Sequence, residues 1–119
     1  MSQSINVSVV GGGGHIGLPL SCFFQNKGHN TLIIDNNLDS INLIENGNIP
    51  FFEEALEENL KMALKNGMKI TNDIKEIKSS DIVFVTIGTS SSLSTINLFN
   101  SLVDDVMDNI KLESTLILR

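Results

Sequence analysis

Val9-Val10-Gly11-Gly12-Gly13-Gly14-His15-Ile16-Gly17-Leu18-Pro19-Leu20 decides the fold. Its first residues close an apolar run that begins at Ile5, and its last open a second run with helical spacing. Between them stands Gly12-x-Gly14-x-x-Gly17, the spacing that binds a dinucleotide when it joins a strand to a helix. Gly12 permits the tight turn, Gly14 admits a pyrophosphate to the backbone, and Gly17 lets the helix lie close on the sheet. The N–H groups at the helix start, those of His15 and Ile16 included, then face the phosphates with the helix dipole behind them. Glycine turns of this kind also occur without a ligand, so the second half of the fingerprint matters. Eighteen positions after Gly17, Asp35 ends the next apolar run, Thr31-Leu32-Ile33-Ile34, and is followed by Asn36. An acid there accepts hydrogen bonds from both hydroxyls of an adenosine ribose and repels a 2′-phosphate, which favours NAD over NADP.

The bulk numbers fit that reading. A chain of 119 residues makes one domain at most, and 41% hydrophobic with 18% charged residues describes a globular chain. The net charge of −6 argues against nucleic acid or an anionic membrane as partner. It leaves a phosphate ligand possible, because a glycine turn works through backbone dipoles. The apolar runs are strand-length, and the start Met1-Ser2-Gln3-Ser4 has no signal-peptide character, so the cytoplasm is the expected location. A single cysteine, Cys22, permits no internal disulfide and provides no metal-ligand spacing.

Strand and helix signals alternate along the chain, the pattern of a parallel sheet with helices on both faces. Strands are predicted at residues 5–10, 31–34, 68–71, 82–87 and 114–118. A helix over 16–27 carries Ile16, Leu20, Phe23 and Phe24 on one side and stops at Gly28. A short helix with Leu38, Ile41 and Ile44 inward stops at Gly47. A further helix over 53–66, closed by Gly67, is more than a minimal mononucleotide fold requires; its first turns hold Glu53, Glu54, Glu57 and Glu58, which suits the helix dipole. Residues 73–78 form a helical turn, and 98–110 a helix with Leu98, Leu102, Val106 and Ile110 on one stripe. The expected fold is a Rossmann-type doubly wound sheet of five parallel strands in the order 3-2-1-4-5, with an extra helix between strands two and three. Ending at Arg119, on a strand with no following helix, the single domain 1–119 reads as the front piece of a longer protein.

The order of these signals resembles the N-terminal NAD-binding domain of the UDP-glucose/GDP-mannose dehydrogenase family, across essentially the whole chain. Gly14-His15-Ile16-Gly17-Leu18-Pro19-Leu20 resembles the family's G-x-x-G-L-P-L, and Asp35-Asn36-Asn37 its D-x-N. Pro50-Phe51-Phe52-Glu53-Glu54-Ala55-Leu56 lies where the family has its P-x-x-E-x-x-L insertion helix. Ile70-Thr71-Asn72-Asp73 resembles its T-x-D, and Ile87-Gly88-Thr89 its V-G-T after the fourth strand. Leu116-Ile117-Leu118-Arg119 looks like the strand before the family's S-T-V-x-P-G-T loop. Three departures stand out: Ser90 replaces a proline, Leu38-Asp39-Ser40 lacks the usual basic residue, and Glu54-Ala55 replaces a common Pro-Gly.

The resemblance implies an NAD-dependent nucleotide-sugar 6-dehydrogenase, which oxidises the C6 alcohol of a UDP- or GDP-sugar to a carboxylate in two steps. It also implies a homo-oligomeric whole protein whose sugar site and catalytic residues lie downstream. No catalytic residue is therefore assigned within this chain. The cofactor-binding candidates are Gly12, Gly14, His15, Ile16, Gly17, Asp35, Asn36, Gly88 and Thr89. Cys22 reads as a small packing thiol, His29 as structural, and the glutamates as a solvated face. The rival reading is a stand-alone NAD-sensing regulatory module, which would share the fingerprint but not the insertion helix. A dehydrogenase of the 6-phosphogluconate or hydroxyacyl type would likewise share only the amino-terminal fold.

Overall fold

A computed structural model describes residues 4–86, 93–110 and 115–118. Strands β1 (Asn6–Val10), β2 (Asn30–Ile34), β3 (Lys69–Thr71), β4 (Ile82–Val85) and β5 (Thr115–Leu118) form one parallel sheet in the order β3-β2-β1-β4-β5. That is the expected order. β1 is central, with Val10 in register with Ile34 on one side and Val85 on the other. Because successive side chains alternate across a sheet, neighbouring residues of β2 serve opposite faces. Ile33 packs with Leu18, Cys22, Ile44, Leu56, Leu60 and Ala63. Ile34 packs with Val10, Ile77, Val83, Val85 and Val106. The first group comes from helices α1 (Gly17–Asn26), α2 (Leu38–Glu45) and α3 (Leu56–Lys65). In the second, Val10, Val83 and Val85 come from β1 and β4, Ile77 from a 3-10 helix (Ile74–Ser79) and Val106 from α4 (Leu93–Asn109). Burial on both faces explains why the strands read as continuous apolar runs.

The inward face of α1 differs from the expected one. Leu18, Ser21, Cys22 and Gln25 are buried, whereas Ile16 and Phe23 are more than half exposed. Gly17, Ser21 and Cys22 are the small residues of that stripe, and Leu18 and Gln25 are its large buried ones. Phe24 of the large group does turn toward the sheet, its ring 5.4 Å from that of Phe84. Gln25 is buried yet satisfied at both ends: its Nε2 donates to Asn66 O at 2.8 Å, and its Oε1 accepts from Thr31 N–H at 2.9 Å. One amide thus joins α1 to β2 and to the end of α3. On the other face the hydroxyls of Ser8 and Ser80 pair in the same way.

Leu38, expected inward, is exposed because it opens α2; Asn37 caps that helix, accepting from Ser40 N–H at 3.1 Å. Helix α4 starts five residues earlier than its apolar stripe suggested, and Val106 is its buried anchor. The largest correction concerns α3, which begins at Leu56 and not at residue 53. Ala55 has φ 66°, a left-handed conformation that no helix can contain. Glu53 and Glu54 therefore precede the helix, and only Glu57 and Glu58 occupy its first turn. Ala55 stands where the family has glycine, so it carries a penalty of about 1–2 kcal/mol that glycine lacks. After the extra unfolded-state entropy of glycine is deducted, Ala55→Gly is expected to stabilise the domain by about 0.5–1 kcal/mol, read as a higher urea midpoint with an unchanged slope.

Burial raises the Cys22 thiol from 9.0 to about 12, with a backbone hydrogen bond partly opposing the rise. On thiolate fraction alone, native Cys22 should react with a disulfide reagent at pH 8 about a thousandfold more slowly than the unfolded chain. The unfolded thiol ionises first, so this group favours the fold fully below pH 9 and progressively less as pH rises toward 12. Cys22→Ala should flatten the fall in stability across that window.

Candidate cofactor site

The carboxyl ends of β1, β2 and β4 meet at one edge of the sheet. Gly11 N–H donates to Ile34 O at 2.7 Å, and Thr86 N–H donates to Val10 O at 2.8 Å. From β1 the chain moves outward to β2 and β3, then crosses back to β4 and β5. The edge above β1 is therefore a topological switch point, where doubly wound sheets leave a crevice for ligands. The glycine turn rises from that point. Gly11, which the fingerprint does not require, has φ 83° and lets the chain leave β1 sharply.

The fingerprint glycines differ in what they serve. A Cβ on Gly12 would stand 2.7 Å from Ile33 Cγ2 and 2.9 Å from Val9 O. One on Gly17 would stand 2.5 Å from Gly11 O and 2.7 Å from both Gly12 Cα and Thr86 Oγ1. Both glycines are demanded by the protein itself. Gly14 is not: its Cβ would meet only Gly11 O, at 3.4 Å, an ordinary contact. Helix α1 has neither a side-chain cap nor an acidic residue in its first turn. Leu18 N–H donates to Gly14 O at 3.0 Å and Pro19 has no N–H, so Ile16 and Gly17 carry the open N–H groups at the positive end of the helix dipole.

Asp35 reaches this turn from the end of β2. Its Oδ2 accepts from Gly13 N–H at 2.9 Å and its Oδ1 from Asn37 N–H at 3.0 Å. The carboxylate is half-buried, and each of its oxygens can accept a further bond. Asn36 beside it is exposed. His15 and Ile16 are both exposed at the top of the turn, and the His15 ring stacks on Phe51 with centroids 4.0 Å apart. Gly88 and Thr89, with Ser90, lie outside the described residues. The structure therefore brings Gly12, Gly14, His15, Ile16, Gly17, Asp35 and Asn36 to one edge.

Thr86 was not singled out from the sequence, where it reads as one more residue of a buried strand. Its hydroxyl lies 3.0 Å from Val10 O and 3.3 Å from Gly11 O, clamping the root of the turn. A hydroxyl breaking an apolar run at a strand's carboxyl end was the available signal. His29 accepts a bond from Ile5 N–H at 3.3 Å, a structural role. Glu57 pairs with Lys61 on an exposed helix face. Among the described residues no group of three or more acids, cysteines and histidines could hold a metal, and no helix is long and apolar enough to cross a membrane.

A sequence model of the UDP-glucose/GDP-mannose dehydrogenase family, NAD binding domain, matches residues 5–119. The chain belongs to this family. NAD is accordingly its cofactor. It is 33% identical over 92 residues to the UDP-glucose 6-dehydrogenase of Rickettsia felis, covering 76% of this chain and 20% of that protein. It is 32% identical over 82 residues to the UDP-glucose 6-dehydrogenase of Rhizobium meliloti, covering 67% of this chain and 19% of that one. The solved UDP-glucose dehydrogenase of Pyrobaculum islandicum has the same fold over 98% of this chain and 29% of its own, with a TM-score of 0.88 at 22% identity. The chain thus spans about a fifth of the length of the curated relatives it matches.

The glycine geometry makes a stability prediction. Gly17→Ala forces backbone against backbone and is expected to cost at least about 2 kcal/mol in urea unfolding. Gly14→Ala, with room for its methyl group, should stay within about 0.5 kcal/mol of the parent chain.

Proposed function

We propose that this chain is the cofactor-holding part of a nucleotide-sugar 6-dehydrogenase that converts the C6 alcohol of a UDP- or GDP-sugar to the uronate. Gly12, Gly14 and Gly17, with the backbone of His15 and Ile16, receive the pyrophosphate of NAD. Asp35 takes the adenosine ribose hydroxyls with Asn36 alongside, and Gly88 and Thr89 line the cofactor beyond β4. The observation that carries this reading is Gly14. No neighbouring protein atom requires a glycine there, yet it sits beside an uncapped helix start and opposite a carboxylate aimed at the same turn. An approaching diphosphate supplies the missing reason. The sugar class is supported by the relatives' names, which specify UDP-glucose 6-dehydrogenases. When bound, NAD supplies the hydride acceptor; this chain's residues supply binding and orientation, and the residues that act on the sugar lie in other parts of the whole protein.

Calorimetric titration with NAD tests the assignment. Asp35→Ala removes two charge-assisted hydrogen bonds and is expected to weaken NAD by at least about tenfold while narrowing the preference over NADP. Equal affinity in the variant and the parent would remove Asp35 from the site. The 119-residue chain, supplied with NAD and either UDP-glucose or GDP-mannose, should generate no NADH absorbance. Turnover by this chain alone would overturn the placement of the chemistry elsewhere.

A further inference from the structure

The glycine turn is held unevenly. Its root is tied to the sheet: Gly11 N–H and Gly12 N–H both point to Ile34 O, Gly13 N–H is held by Asp35, and Gly11 O by Thr86. Its far half, residues 14–16, has no such tie to a strand: Gly14 N–H donates back to Gly11 O at 3.1 Å, and the N–H groups of His15 and Ile16 are the ones that would meet a diphosphate. Gly14 ends a run of four consecutive glycines, Gly11 to Gly14, the sequence with the most conformational freedom to lose when a ligand orders the turn. Among the described residues, the far half joins another element through an aromatic stack, the His15 ring on Phe51 at 4.0 Å and 25°. Ile16 beside it is 53% exposed. Phe51 is itself anchored, since it packs with Ile49 against the core cluster that contains Leu56 and Leu60 of α3.

We infer that Phe51 and His15 are positioning residues for the cofactor: the insertion segment holds the outer half of the glycine turn in its diphosphate-receiving shape through this ring stack. The extra segment between β2 and β3 then has a role in NAD affinity as well as in packing. A turn already ordered before binding loses less entropy when the diphosphate arrives, so the stack contributes to affinity without touching the cofactor. An offset aromatic pair contributes enough to change affinity between about two- and tenfold.

The inference rests on the placement of NAD at this turn, and the experiment separates the two. NAD titrations are made on the full 119-residue chain as parent, His15→Ala, His15→Phe, Phe51→Leu, the His15→Ala/Phe51→Leu double variant, and Asp35→Ala. Thermal unfolding accompanies each. His15→Ala touches no core residue, and Phe51→Leu keeps an apolar side chain on the core, so both are expected to remain folded. Each should weaken NAD between about two- and tenfold. The double variant should be no weaker than the worse single, because both remove one contact. His15→Phe, which keeps a ring to stack, should restore parental affinity. Additive losses in the double variant, unchanged affinity in both singles, or failure of His15→Phe to rescue would each overturn the positioning role. If Asp35→Ala also bound NAD like the parent, the cofactor would lie elsewhere and the inference would fall with that placement.

Discussion

The start of α1 is pressed against the ends of two strands, and the rest of the molecule is arranged around that contact. Gly17 has no room for a methyl group between Gly11 O, Gly12 Cα and the Thr86 hydroxyl. This one close approach sets how near the helix lies to the sheet. Ser21, one turn on from Gly17, and Cys22 are small and buried on the same face of the helix. The close approach at Gly17 aims the free N–H groups of the first turn at the crevice above β1, where the connection order reverses. A helix standing one methyl group farther away would leave the turn with a different shape.

Around that contact, the chain handles an anionic cofactor with an acidic overall charge. A net −6 would repel a diphosphate if side-chain charge decided binding at long range. The proposed site relies instead on short-range backbone amides at the helix start, which distant carboxylates affect little. Asp35, the proposed ribose ligand, is held in place by the protein itself, since its oxygens accept from Gly13 and Asn37 N–H.

The insertion between β2 and β3 is tied into the same framework from three directions. Gln25 reaches Asn66 at the end of α3, Asn26 reaches Asn59 within it, and Leu56, Leu60 and Ala63 fill the core beneath α1. The entry to α3 carries a left-handed Ala55, a strained residue that the surrounding packing has to hold in place. A segment fastened this firmly to α1 is a suitable anchor for a turn made largely of glycine.

The alternating pattern, the glycine spacing and the acid after the second strand determined the sheet order and the succession of helices, and they mark the edge proposed for the cofactor. These follow from local chemistry: a doubly buried strand must be apolar throughout, and a turn without Cβ atoms must be glycine. The inward face of α1 was not legible, because large apolar residues suggested one side while the nearness of sheet and α3 selected another. Thr86 was hidden for the same reason, since its partners are carbonyls more than seventy positions away in the chain. The start of α3 depended on a single left-handed residue that no apolar period encodes. Likewise, only the folded chain brings His15 and Phe51 together. Periodicity determines which elements form; the distance between packed elements decides which side chains meet, and that distance exists only in three dimensions.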